Sequence, residues 1–559
     1  MIPPRVLLVY ANPAVTASPV PPYGAERIAH AMRGAGCEVR LVSPFLERRP
    51  VRALDEAIAA FQPTLIGFSV RNLDDALVVR SAEGLTPLDT TFYLPRIRPL
   101  VALAKARGVP VLLGGAGFTA APEGVLRYLG VEFGIVGAAD DLAWRLGRAL
   151  VGGADLSEAL PDDPRVLRGP TPPAPGRPRE PSAFRAPPGP TPRDAAWLTL
   201  ARDRSGRVPV AISAGCDRRC SFCVEGAFVG GGVRPRPVEE VIHEIKLLRR
   251  ADVRRVWLAA SELNVPDARH ATAILRALAA EKLGVDVTGF LQPAPVDDAL
   301  LDAFLAVGVD PVGLSYEFGH LDDTLLRAGA GPANRASLDR LVALYQRRGH
   351  RGLGGSVLFG AHPAEDDASV DRALATARAL DTAFPDGLGL AWAAGGRVYA
   401  NAPLGRWVAE NLDAARPHLY GKVSPGFVEP LVYCKPGAPR ELFVRVQAGL
   451  AGCRGPMHAL NAETVLDPRA LHVERDVNRG VLALAAGEGA AAARACRSAL
   501  RVQPNHRDAL ETLALAQANL LGQPAAALAT FRRLRGLVSG KWAEQTDRVI
   551  AQLEHHVGG

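Results

Sequence analysis

The segment Ala214-Gly215-Cys216-Asp217-Arg218-Arg219-Cys220-Ser221-Phe222-Cys223 holds three cysteines at C-x3-C-x2-C spacing. Such a loop can offer three thiolates to one iron–sulfur cluster and leave one iron without a cysteine. An open iron can bind a substrate-like ligand and pass it an electron, whereas a cluster held by four cysteines is usually confined to electron transfer. The spacing therefore points to catalysis. The competing reading is a zinc knuckle, which would want a fourth Cys or His close by. The next cysteine is Cys434, and His243 and His270 lie downstream in helical patterns.

Composition narrows the setting. Seven cysteines in 559 residues, an odd number with three in one loop, argue against a disulfide scaffold and for a reducing compartment, so a cytoplasmic location is expected. The net charge of +7 comes from scattered arginines rather than a basic block, which gives no reason to expect nucleic acid. The apolar run Val6 to Tyr10 is too short for a signal sequence or a membrane span and reads as a buried first strand; no membrane association is expected.

The elements that must position these residues alternate in two stretches. Over residues 1–152, short apolar strands (Val6 to Tyr10, Glu38 to Val42, Leu65 to Val70, Val109 to Leu113, Phe133 to Val136) alternate with amphipathic helices, the pattern of a Rossmann-like doubly wound α/β sheet. Ligands of such sheets sit at the carboxyl ends of the strands. Those ends hold Asn12, Ser69, Arg71, Asn72, Gly114, Gly115, Gly117, Phe118 and Gly137. Residues 153–203 are proline-rich and read as an extended linker. From Val208, six strand–helix units follow over 204–395, matching a partial (β/α)6 barrel, with the cysteine loop after the first strand, where barrel sites gather. Residues 396–478 read as a C-terminal cap. Residues 479–559 read as an α-helical tail in which Ala495-Cys496-Arg497 and Ala529-Thr530-Phe531 recur at a period of 34 residues (529 − 495), that of tetratricopeptide helix pairs. This tail is a candidate surface for a protein partner.

The cysteine loop resembles the signature of radical S-adenosylmethionine (SAM) enzymes, with Gly215 before the first cysteine and Phe222 before the last. The resemblance implies a [4Fe-4S] cluster on Cys216, Cys220 and Cys223 and SAM bound at the open iron. Phe68 to Asp74, Tyr93 to Arg98, Leu112 to Phe118 and Gly134 to Gly137 resemble the cobalamin-binding domain that precedes many radical SAM cores. That likeness assigns the nine strand-end residues above to cobalamin. There is no D-x-H-x-x-G, so a bound cobalamin should lack a protein histidine on cobalt, and Arg71 is placed near its lower face as a catalytic residue. The family's acidic G-E-G-E turn is here Gly137-Ala138-Ala139-Asp140.

By the same likeness Ser261, Glu262, Ser315 and Glu317 contact SAM. Glu262 carries a second, catalytic expectation: reaching the open iron, it would block reductive cleavage and redirect SAM to polar methyl donation. His320 and His362, at barrel strand ends, are acid or base candidates, with ordinary polar contacts the favoured account. The implied enzyme is a cobalamin-dependent radical SAM C-methyltransferase. It would pass a methyl group from SAM through methylcobalamin to an unactivated or aromatic carbon of a small-molecule or peptide substrate, with a flavodoxin- or ferredoxin-type reductant. A tryptophan 2-C-methyltransferase-like branch fits the polar route. The alternatives are a cyclase or rearrangement enzyme with the same cofactors, and a cofactor-sensing binding protein.

Overall fold

The computed structural model describes residues 3–13, 15–16, 20–75, 78–79, 88, 90–169, 190–203, 206–216, 218–226, 232–459, 465–466, 476–477, 480–481, 483–484, 486–538 and 540–558. Two compact units emerge: one of residues 1–44 and 51–464, the other of 45–50 and 465–559.

The larger unit begins with the doubly wound sheet. Its elements are β1 (Arg5–Ala11), α1 (Tyr23–Gly34), β2 (Glu38–Val42), α2 (Pro50–Phe61), β3 (Leu65–Val70), α3 (Leu94–Ala106), β4 (Val111–Gly114), α4 (Pro122–Leu129), β5 (Phe133–Ile135), α5 (Asp140–Val151) and β6 (Val166–Arg168). Strand order is β2-β1-β3-β4-β5-β6. The first five strands are parallel, and β6 closes the edge antiparallel to β5. Val6 through Ala11 are buried without a break, as a central parallel strand covered by helices on both faces requires.

Both ends of the proline-rich stretch are folded. At its start β6 joins the sheet, and at its end a helix, α6 (Ala195–Asp203), packs Trp197 edge-on against Tyr10 of β1 with ring centroids 5.4 Å apart. No proline falls inside either element; residues 170–189, where most of them lie, fall outside the described residues.

The barrel follows with β7 (Val208–Ala211), α7 (Val238–Arg250), β8 (Arg255–Ala259), α8 (Arg269–Glu281), β9 (Asp286–Thr288), α9 (Asp298–Ala306), β10 (Ser315–Gly319), α10 (Arg335–Arg347), β11 (Leu353–Phe359), α11 (Asp367–Thr382) and β12 (Leu388–Ala394). Capping boxes start α10 (Asn334 with Ser337) and α11 (Asp366 with Ser369), fixing where each helix leaves its loop. Apolar spacing decides which face turns inward: Val241, Ile242, Ile245 and Leu248 of α7 are all buried in the barrel core. The strands form two all-parallel arcs, β7-β8-β9 and β10-β11-β12, joined by a bridge between Leu291 and Tyr316.

The cap adds β13 (Gly396–Arg397), α12 (Pro403–Glu410), β14 (Leu419–Gly421), β15 (Leu431–Tyr433), α13 (Pro439–Leu450) and β16 (Met457–Ala459). β13, β15 and β14 make a small antiparallel sheet, while β16 returns to pair parallel with β12 as a seventh barrel strand. In the smaller unit, α14 (Gly489–Val502), α15 (Arg507–Asn519), α16 (Pro524–Arg535) and α17 (Gly540–Gly558) follow one another around Leu510, Ala514, Phe531 and Leu534. Residues 45–50 belong to that unit: Arg48 donates to Ser498 at 2.6 Å and pairs with Asp476. Among the described residues no helix is long and apolar enough to cross a membrane.

Candidate functional site

The cysteine loop leaves the end of β7 through Gly215, whose φ of +107° and contact with the Gly232 carbonyl (1.7 Å from where a Cβ would stand) admit only glycine. A turn from Cys223 N–H to Cys220 O (3.1 Å) brings the last two cysteines together. Ser221 pins the loop on both sides, its N–H donating to Gly329 O (2.9 Å) and its carbonyl accepting from Leu404 N–H of α12 (2.7 Å). Cys216 is buried and Cys220 and Cys223 are half-buried. Burial, then the charges of Cys223, Glu262 and Cys216, push the Cys220 thiol up to about 12. The three sulfurs thus share one field. Three thiols on one short loop are the donor set of a [4Fe-4S] group that keeps one iron open, and the loop fits it.

Around the loop, Ser261 Oγ donates to Gly215 O at 3.2 Å and lies beside the Glu225 carboxyl and the Cys216 thiol. The charge of Glu262 raises all three thiols. Glu225 was not singled out from the sequence. It lies two residues past Cys223, its N–H donates to Cys223 Sγ (3.4 Å), and burial raises its carboxyl above the usual range. A carboxylate at that offset was the available signal. Phe222, Ser315 and Glu317 are half-buried. Glu317 accepts from Ser356 Oγ at 2.5 Å, and burial raises its carboxyl.

The two histidines act as struts. His320 is fully buried; its Nδ1 accepts from Asp322 N–H (3.0 Å), which leaves Nε2–H to donate to Glu365 (3.2 Å). His362 accepts at Nδ1 from Ala364 N–H (3.2 Å) and donates from Nε2 to Ala328 O (3.1 Å). With both ring nitrogens engaged, neither has a site left for acid or base work, in line with the ordinary-contact reading.

At the strand ends of the first domain, Tyr10 OH accepts from Arg71 Nη1 and from Asn12 Nδ2 (3.2 Å each), and Asn12 Oδ1 accepts from Asn72 Nδ2 at 3.4 Å. Ser69 pairs with Tyr10 on one side and Gly114 on the other. Asn12, Ser69, Arg71, Asn72 and Gly114 therefore form one edge. Gly137 joins it through Thr119, whose Oγ1 accepts from Gly137 N–H (2.9 Å) and donates to Gly115 O (3.0 Å).

One assignment changes. Phe118 is wholly buried, with its ring against Gly134, so it packs the core behind the edge. Gly115, at φ +98°, abuts the Val70 backbone (2.5 Å from a Cβ), and Gly117 abuts Arg71 O (2.9 Å); both make room for the β3 loop. The amide, hydroxyl and guanidinium groups of this edge fit cobalamin, and the one histidine of residues 1–152 is His30, on α1.

Two buried clusters tie this edge to the barrel. Arg193 pairs with Glu26 of α1 (2.8 Å) and Glu244 of α7 (3.1 Å), and its guanidinium lies 4.5 Å from the centre of the Tyr23 ring. Arg397 of β13 pairs with Asp74 at 2.7 Å, where Tyr399 OH also donates at 3.2 Å. Farther along the cap, Asn401 N–H donates to Ala120 O (3.1 Å) and Leu404 N–H to Ser221 O (2.7 Å). Three residues of chain reach at most about 11 Å, so the two carbonyls lie within about 17 Å of each other. The cobalamin-side edge and the cysteine loop are neighbours.

Comparison with known proteins agrees with this layout. Residues 11–144 match the B12 binding domain family, and residues 210–377 match the Radical SAM superfamily. The tryptophan 2-C-methyltransferase of Streptomyces laurentii is 25% identical over 408 residues, covering 60% of this chain and 65% of that protein. The ribosomal protein uS12 methylthiotransferase RimO of Kineococcus radiotolerans is 35% identical over 176 residues, 29% of this chain and 35% of RimO. The chain thus matches about a third of one curated relative and just under two thirds of the other. Among solved structures, the radical SAM methyltransferase TsrM of Kitasatospora setae, with cobalamin and a [4Fe-4S] cluster bound, superposes with a TM-score of 0.66 over 85% of this chain and 96% of TsrM at 22% identity. The cobalamin-dependent enzyme OxsB gives 0.57 over 100% of this chain and 84% of OxsB at 12% identity. These likenesses establish the fold.

Proposed function

We propose that this chain, which joins a B12-binding domain to a radical SAM domain and so belongs with the cobalamin-dependent radical SAM enzymes, is a C-methyltransferase. The observation that carries the reading is the cap segment 401–404, which holds the strand-end edge and the cysteine loop side by side. Two cofactor sites so close suit a group passed between them. The named relatives that methylate tryptophan support the same reading.

When bound, the cluster on Cys216, Cys220 and Cys223 supplies an electron and an open coordination site for SAM, and cobalamin supplies a carrier for the methyl group. This chain's residues do the rest. Arg71, held by Tyr10 at 3.2 Å, would present a fixed cation to bound cobalamin and discourage a ligand donor beside it. Asn12 and Asn72 would offer it amide groups. Ser261 and Glu225 fix the root of the cysteine loop, while Glu262 sets the charge at the SAM end. Glu317, braced by Ser356, is placed to meet SAM hydroxyls or its amino group. The substrate is a small molecule or peptide with an electron-rich or unactivated carbon, the reductant is of flavodoxin or ferredoxin type, and the protein works in the cytoplasm.

Anaerobic reconstitution with iron, sulfide and cobalamin, followed by ultraviolet–visible and paramagnetic resonance spectra, tests the cofactors. Turnover with methyl-labelled SAM tests the transfer. Cluster and cobalamin spectra together with label in the product are expected. A colourless, zinc-bearing preparation would overturn the reading, and product without label would turn it to cyclisation or rearrangement.

A further inference from the structure

Gln292 is a buried polar residue that the roles above do not use. It is 1% exposed, yet among the described residues neither its Oε1 nor its Nε2 has a hydrogen-bond partner. A buried amide left unsatisfied costs about 1–3 kcal/mol and calls for an explanation. Its backbone is rigidly held: the N–H donates to Asn264 Oδ1 (3.0 Å), the carbonyl accepts from Asn264 Nδ2 (2.8 Å), and the same Nδ2 also reaches Pro295 O (2.8 Å).

The direction of the side chain follows from the pleat. Leu291 bridges Tyr316, whose hydroxyl lies 2.8 Å from that of Tyr345 on the outer helix α10, so Tyr316 faces the helices and Leu291 faces with it. Successive side chains alternate, which turns Gln292 into the barrel lumen. Across the lumen most half-buried positions are small, Gly354 and Ser356 of β11 and Gly389, Ala391 and Ala393 of β12, with Leu358 the one large side chain among them. On the same face as Gln292, Phe290 is 41% exposed and meets Trp257 of β8 edge-on at 4.7 Å.

We propose that Gln292 is the substrate-recognition residue of this site, and that the substrate offers a planar amide to its carboxamide and an aromatic ring to the Trp257–Phe290 pair. The inference rests on the functional reading above and narrows its substrate class. A carboxamide donates and accepts in one plane, so another amide satisfies both atoms, whereas a carboxylate would pair with Nε2 and repel Oε1. The adenine edge of SAM has a similar donor and acceptor pattern, and the test separates the two sources.

Q292L and Q292M, apolar and of similar volume, are compared with the wild type as apoprotein and as reconstituted holoenzyme. The expected apoprotein melting temperature rises in at least one variant, because the unsatisfied amide is gone. Calorimetric affinity for S-adenosylhomocysteine should stay within about twofold. Binding of N-acetyl-L-tryptophanamide, read by ligand-observed nuclear magnetic resonance, should weaken by about tenfold or more, or about 1.4 kcal/mol. Three results would each overturn the proposal: neither variant melting higher, a tenfold loss of S-adenosylhomocysteine affinity, or no binding of the tryptophanamide to the wild type. Cluster and cobalamin spectra and methyl-label turnover of the same wild-type sample judge the methyl-transfer reading by themselves. A sample taking up neither cofactor fails that reading, while the melting comparison is still read on the apoprotein.

Discussion

At the scale of single residues, the proposed handling of SAM turns on charge around the cysteine loop. Burial raises Cys216, Cys220 and Cys223, and Glu262 adds to the rise in each. Its carboxylate therefore bears on the same space as the three sulfurs. E262Q keeps the shape and removes the charge. It is expected to retain the cluster's visible absorption but to lose about tenfold or more in methyl transfer, a loss of about 1.4 kcal/mol in transition-state stabilisation. If Glu262 holds SAM away from reductive cleavage, the variant also forms more 5′-deoxyadenosine per turnover. Chromatography of the nucleoside products reads that split; an unchanged ratio with lost activity would assign Glu262 to SAM binding alone.

At the scale of elements, the seventh barrel strand depends on one carboxylate. Asp381, at the end of α11, accepts from Leu388 N–H (3.0 Å) and Gly455 N–H (2.9 Å) on one oxygen and from Arg454 N–H (2.9 Å) on the other. It thereby joins the start of β12 to the turn that leads into β16. Burial alone would raise its pKa, but the three amide donors outweigh it and lower the carboxyl below its usual value. A depressed folded-state pKa contributes stability that is complete above the unfolded value, near 3.8, and is lost as pH falls through the folded value. D381N removes a charge-assisted acceptor set and is expected to cost about 1–3 kcal/mol at neutral pH. Its denaturant midpoint should fall relative to wild type at pH 7, and the gap should close as pH drops below about 3.8.

At the scale of the whole molecule, the proposed transfer needs the strand-end edge and the cysteine loop of the larger unit held at a fixed separation. The Arg397–Asp74 pair does much of this. Its side chains are 3% and 0% exposed, and breaking a buried pair by removing one partner costs about 3–5 kcal/mol. R397M should lower the melting temperature and weaken cobalamin retention in gel filtration, while R397M/D74L, which removes both charges, should recover much of the stability. Retention that falls in the first variant and returns in the second would tie cofactor holding to the clamp rather than to arginine itself. The helical tail and residues 45–50 form a unit of their own, so Arg48 belongs to the tail's packing.

Local pattern alone was enough for the two alternating stretches, the six barrel strands, the cysteine loop and the polar residues at strand ends. Each depends on periodicity or on spacing within a few residues, which the chain carries in its own order. Tertiary structure decided what short range cannot: that Phe118 fills the space beside Gly134, that Gly115 and Gly117 admit neighbouring backbone, and that His320 and His362 are already engaged. It also drew β6 and α6 out of a proline-rich stretch, brought β16 to the barrel, and set Glu225 beside Ser261. Those outcomes turn on which surfaces meet across hundreds of residues, and a contact made by packing leaves no fixed interval in the sequence from which to read it.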